Sequence, residues 1–258
     1  MAKLGNAEAT ATPQAASATA ASTFYARLRS DIVTGTLPSG KKLRLAEVCR
    51  SYEVGSSPAR EAMNRLAAEG LLVQTDRRGF AVPVISREDL VDLTQARCWV
   101  AEVALREAIR CGDDRWEEGV VLALHRLDRL SADHESTVPE SKIRLESAHR
   151  AFHSALLGAC PSKRLLLYSE QLFDLANRYR SLARALNAVL NKRDRTQEHH
   201  EIARLTLARD SSGACALLTQ HFQTTCDIAL AYWDELYGHI DPARKSVDPG
   251  PKSTAETV

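Results

Sequence analysis

His149 and His153 stand four residues apart, the spacing that brings two side chains together on one face of a helix. His199 shares its helical face with Ile202, Ala203 and Thr206. His221 shares its face with Leu217, Leu218, Thr225 and Ile228. Both faces are apolar enough to point inward. Three separate segments therefore aim imidazoles at one interior. Converging imidazoles suit a borderline divalent metal such as Zn, Ni, Cu or Mn. A single inward histidine is more often a hydrogen-bonded core residue, and only the convergence of four raises the metal reading above that. His125, His134, His200 and His239 share no such face and read as surface or linker residues.

Arg97 adds a second chemistry. It sits within the apolar stripe Leu90, Leu93, Ala101, Ala104 and Ala108. A buried guanidinium is costly unless paired. Its partner is either an internal carboxylate, such as Glu102 or Glu146, or the carboxylate of a ligand gripped by the guanidinium fork. A metal on His149, His153, His199 and His221 together with Arg97 would suit a small carboxylic acid.

These residues need helices to hold them, and the sequence supplies them. After Val84 no strand pattern occurs. Ser86 and Asp89 form a capping signal, and helices are expected at 87–111, 114–131, 141–157, 163–191, 195–208 and 212–238. That is an all-helical bundle over 86–240. The stretch 22–85 differs. Tyr25, Leu28 and Ile32 mark a short helix over 23–34 that Gly35 ends, and Leu45–Tyr52 a second. Ser57 is expected to cap a third helix, with Pro58 at its first position. Leu71–Val73 and Phe80–Val82 flank Asp76, Arg77, Arg78 and Gly79, a hairpin with a charged tip. This order is that of a winged helix-turn-helix, so the fold class is mainly α. Residues 1–21 and 241–258 read as disordered tails.

The charge layout agrees with that division. The chain has 258 residues and a net charge of +1. Residues 23–85 hold ten Lys and Arg against six Asp and Glu, so the first module is basic and the remainder acidic. A basic module on an acidic partner suits DNA binding. The third helix would place Gly55, Ser56, Ser57 and Arg60 at the major groove. Arg60 can read a guanine edge, and Arg77 and Arg78 can enter a minor groove or grip phosphate. The six cysteines include no C-x-x-C pair and read as small buried hydrophobes. No apolar run approaches the ~18 residues of a membrane span, and no signal peptide opens the chain, so a cytoplasmic protein is expected.

The runs Gly40–Leu45, Val54–Ala62, Arg65–Leu71 and Arg78–Val82 resemble the GntR family of bacterial transcription regulators. Asp92, Leu93 and Arg97, then Phe152, His153, Ala155 and Leu156, then Glu198, His199 and Ile202, then His221, resemble the FCD effector domain of its FadR subfamily. The resemblance covers about 23–238. It implies a homodimer on a palindromic double-stranded DNA operator, a repressor in most members, with a small carboxylate effector in the helical domain. It also implies a metal on an Asp or Asn and three histidines. His153, His199 and His221 match those histidines, while His149 takes the acidic position. Where members often carry Ser-Arg-Thr-Pro, this chain has Gly55, Ser56, Ser57 and Pro58. Arg44, Arg60 and the hairpin tip would then carry more of the DNA contact. The residues around Leu43, Val54 and Arg178 are similar to a branch that includes glutarate-responsive repressors, which implies a dicarboxylate. Two other readings compete. Glu146 and His149 form half of a di-iron motif, but a bundle metalloenzyme needs a second such pair, and the sequence offers none. In the other, the bundle only dimerises.

Overall fold

The computed structural model describes residues 13–75, 79–132, 139–190 and 193–233. The chain divides into two compact units between Val84 and Ile85.

The first unit runs α1 (Pro13–Val33), β1 (Lys42–Leu43), α2 (Leu45–Tyr52), α3 (Ser56–Ala68), β2 (Val73–Thr75) and β3 (Gly79–Ala81). Leu28 and Ile32 from α1, Val48 from α2 and Ala62, Met63 and Leu66 from α3 are buried together. Each large side chain of this kind stabilises the unit by about 1.5–3 kcal/mol. Two polar ties set the helix directions. The Tyr25 hydroxyl donates to Glu69 at 2.6 Å, and the Tyr52 hydroxyl donates to Asp31 at 2.6 Å.

Three details differ from the sequence reading. Helix α1 begins at Pro13 rather than 23, so 13–21 are helical and not tail. That stretch is rich in alanine, which favours helix without any large apolar residue to mark it. Helix α3 begins two residues early, with Gly55 and not Ser57 as its N-cap and no side-chain cap hydrogen bond. The hairpin is β2 and β3, with Gln74 opposite Phe80, and β1 joins it as a third strand in the order β1-β3-β2. The 1–12 part of the first tail and all of 241–258 lie outside the described residues.

The second unit contains α4 (Arg87–Cys111), α5 (Asp114–Ala132), α6 (Pro139–Leu157), α7 (Lys163–Leu190), α8 (Arg195–Leu207) and α9 (Ser211–Ala231). Helix α4 is its axis and packs on α9, α7 and α6. The core joins Ala104, Leu105 and Ala108 of α4 to Val120, Phe152, Leu156, Ile202 and Leu218. Small residues along α4 let the neighbouring helices approach closely. The helix starts are capped as their sequences direct. Ser86 accepts from the Asp89 N–H at 3.0 Å, Asp194 from Gln197 at 2.9 Å and Asp210 from Gly213 at 2.9 Å. Tyr179 of α7 donates to Asp89 and accepts from the Ser86 N–H, which fixes the first turn of α4 against α7. Among the described residues no helix is long and apolar enough to cross a membrane.

Candidate metal centre and nucleic-acid interface

The four histidines do converge. His149 and His153 come from α6, His199 from α8 and His221 from α9, and one ring nitrogen from each lies within 4.8 Å of all the others. The Nε2 atoms of His149 and His153 are 3.1 Å apart. Two nitrogens bound to one Zn at ~2.0–2.1 Å lie about that far apart. The set is imidazole nitrogen carried on helices, walled by Phe152, Phe173 and Phe222. The donor set fits a borderline divalent ion. His149 occupies the position where an acidic ligand is expected, and its ring belongs to the cluster, 4.6 Å from the His153 ring and 5.1 Å from the His199 ring between centroids.

Sequence reasoning missed the groups behind His221. Glu198 accepts from His221 Nδ1 at 2.7 Å. Arg193, in the connection leading to α8, donates to both Glu198 oxygens at 2.6 Å. It also donates to the His221 carbonyl at 2.8 Å and to Thr225 Oγ1 at 2.8 Å. Burial pushes the Glu198 carboxyl up, but the hydrogen bonds from His221 and Arg193 outweigh it and hold the group at about 2. Burial pushes His221 down to about 4, against the pull of Glu198. At neutral pH His221 is therefore an uncharged imidazole, the form that ligates metal.

Arg97 is buried, as its stripe requires. Its guanidinium lies 3.9 Å from the Phe222 ring centroid and 5.7 Å from that of Phe173, and its charge reaches His221. Of the two internal carboxylates proposed for it, Glu102 binds Arg106 at 3.0 Å and Glu146 lies 4.0 Å from His149. Arg97 and His153 share the wall of a small cavity with Ser169, Phe173, Leu218 and Phe222, and no carboxylate lines it. The cavity, about 20 Å³, has room for about one water. Arg97, His153 and Ser169 make its polar wall, and the remaining wall is apolar.

In the first unit, Gly55, Ser56, Ser57 and Arg60 are all exposed at the start of α3. Gly55 gives α3 no side-chain cap, and Ser56, Ser57 and Arg60 stand exposed on its first turns. Arg44 precedes α2, with its side chain 80% exposed and a 3.6 Å contact to Glu47. Gly79 opens β3, where a Cβ would sit 3.1 Å from Thr75 Oγ1. Arg77 and Arg78 lie outside the described residues.

Residues 20–82 match the model of the gntR family of bacterial regulatory proteins, and residues 92–224 match that of the FCD domain. The chain belongs to the GntR family. The HTH-type transcriptional repressor GlaR of Escherichia coli K12 is 35% identical over 208 residues, covering 79% of this chain and 93% of GlaR. The HTH-type transcriptional regulator BphR of Paraburkholderia xenovorans LB400 is 33% identical over 204 residues, covering 79% and 82%. The structure of E. coli McbR/YncC matches with a TM-score of 0.69 at 19% identity, covering 83% of this chain and 98% of that one, a likeness of fold. This GntR protein is a DNA-binding regulator of transcription. The relatives GlaR and BphR are regulators of transcription and not enzymes, which removes the metalloenzyme reading.

Proposed function

We propose that this GntR protein is a homodimeric repressor whose hold on a palindromic operator is set by a small carboxylic acid, with dicarboxylates the first class to try. The observation that carries the reading is the four-histidine cluster beside the Arg97 cavity. His149, His153, His199 and His221 would hold a divalent metal such as Zn or Ni. Bound there, the metal would supply a Lewis-acidic anchor for a carboxylate oxygen. Arg97 would donate to the same carboxylate, and the phenylalanines would exclude water from it. The cavity holds about one water, so an acid enters only if Phe173, Phe222 or a neighbour moves. A ligand that needs such a movement distinguishes two arrangements of the helical unit, which is the condition for regulation. The way out to the DNA-binding unit is the connection at Val84–Ser86, whose far end Tyr179 holds.

A thermal-shift screen against mono- and dicarboxylates, run with and without a chelator, tests this. The expected result is a rise in Tm with one acid class, abolished by the chelator. At a hundredfold excess over Kd the stabilisation is about 2.7 kcal/mol. A rise that ignores the chelator would assign the site to Arg97 alone. No rise with any acid would leave the bundle a dimerisation block and overturn the effector reading.

On the DNA side, α3 would lie in the major groove with Ser56 and Ser57 on phosphate and Arg60 on a base edge. Arg44, Gly79, Arg77 and Arg78 would contact the flanking backbone or minor groove. Arg60→Ala is expected to weaken operator binding by about 1–3 kcal/mol and to relax preference at one base position. Binding titrations over single-base operator variants check this. A uniform loss over all variants would make Arg60 a phosphate contact instead.

A further inference from the structure

We infer that Glu198 and Arg193 are positioning residues that fix His221 in its Nδ1–H form and present its Nε2 to the other three imidazoles. The inference rests on the metal reading above, but its own ground is the geometry behind His221. A carboxylate oxygen and an imidazole nitrogen 2.7 Å apart need a proton between them, since two lone pairs at that distance repel. Both Glu198 oxygens accept from the Arg193 guanidinium, which marks the group as a carboxylate, so the proton sits on Nδ1. Arg193 Nη2 also lies 3.2 Å from Nδ1, but a guanidinium only donates, and this nitrogen already serves Glu198 and the His221 carbonyl. Nε2 then keeps its lone pair, and it is the ring nitrogen left to the cluster.

Arg193 does the same for the carboxylate. Its Nε and Nη2 hold both Glu198 oxygens, so the carboxylate cannot rotate away from Nδ1. Its other contacts, to the His221 carbonyl and Thr225 Oγ1, tie the backbone of α9 to the same point. Thr225 donates to the His221 carbonyl at 2.9 Å and closes the network. The Arg193 side chain is 7% exposed, so little water competes for these bonds. A ligating histidine whose second nitrogen donates to a carboxylate binds metal with a fixed ring and a more basic lone pair.

The test uses full-length protein and Ni²⁺ alone as the probe. Long-range ¹H–¹⁵N spectra of the metal-free protein read the tautomer of His221, and competition with a chelator reads the Ni²⁺ affinity. Wild-type His221 is expected as the Nδ1–H form. Glu198→Ala is expected to shift it toward Nε2–H and to weaken Ni²⁺ about 10–100-fold. Glu198→Gln keeps the volume and a weaker acceptor, gives a smaller loss in the same direction, and serves if the alanine variant does not fold. An unchanged tautomer and unchanged affinity in the variant that folds would overturn the assignment of Glu198. Wild-type protein that takes up no Ni²⁺ would instead overturn the metal reading, and the tautomer would still decide what Glu198 does.

Discussion

His153→Ala is expected to abolish metal uptake and, with it, the response to acids. His153 holds two roles that the other histidines do not combine. Its Nε2 lies 3.1 Å from that of His149, and its ring is within 5.6 Å of the His199 and His221 rings between centroids. It also lines the cavity with Arg97. Losing it would remove one of the four proposed ligands and open the wall between the site and the cavity. Disturbing groups behind a metal ligand already costs 10–100-fold in affinity, and losing a ligand costs about that or more. A metal at a hundredfold excess over Kd stabilises by about 2.7 kcal/mol. For a unit of this size that is roughly 5–10 °C in Tm. In the wild type a chelator should lower Tm by about that much. In His153→Ala it should do nothing, because there is nothing to remove. Metal analysis of the purified variant gives the direct check. A variant that keeps one ion per chain and a chelator-sensitive Tm would show that His153 is structural.

How far the sequence leads to this site depends on the kind of order involved. The i, i+4 spacing of His149 and His153 and the apolar faces of His199 and His221 are local patterns, and they name all four members. Arg97 is legible for the same reason, as a cation inside an apolar stripe. Arg193 is not legible. It lies in a connection without periodicity, and its partners Glu198, His221 and Thr225 come from α8 and α9, so only the packed structure brings them together. Glu198 has a faint signal, as the neighbour of His199, but nothing in the chain says that it serves His221. Strand β1 fails for a similar reason. Two residues, Lys42 and Leu43, carry no alternation, and their pairing with Phe80 and Ala81 is non-local. The cap of α3 turns on one residue, because Gly55 is as able as a serine to adopt the extended backbone it needs.

Trp99→Glu is expected to convert the proposed dimer to monomers and to weaken operator binding by about two to four orders of magnitude. The ground is helix α4. One face is buried in the bundle through Leu93, Arg97, Ala101, Ala104 and Ala108. The other carries Val91, Trp99 and Val103, with Trp99 64% exposed. Asp92, Gln95 and Arg106 are exposed on the same face, so the surface is mixed, with Trp99 as its large apolar anchor. A tryptophan exposed in a polar surround is the kind of side chain that interfaces bury at their centre. A second copy of the chain is the occupant a palindromic operator calls for, since a two-fold protein matches a two-fold site. Placing a carboxylate at the centre of such a contact leaves a charge without a partner where a tryptophan was buried. The fold itself should survive, because the side chain makes no part of either core. Each monomer would keep its own half-site contacts, and what disappears is the linkage of two binding events, which is worth 10²–10⁴ without any change at the DNA surface. Sedimentation equilibrium and operator titration read the two consequences separately. A Trp99→Glu protein that stays dimeric at micromolar concentration would move the interface elsewhere. One that becomes monomeric yet binds the operator as tightly as the wild type would mean that a single copy of α3, with Arg60 at its start, carries the whole recognition.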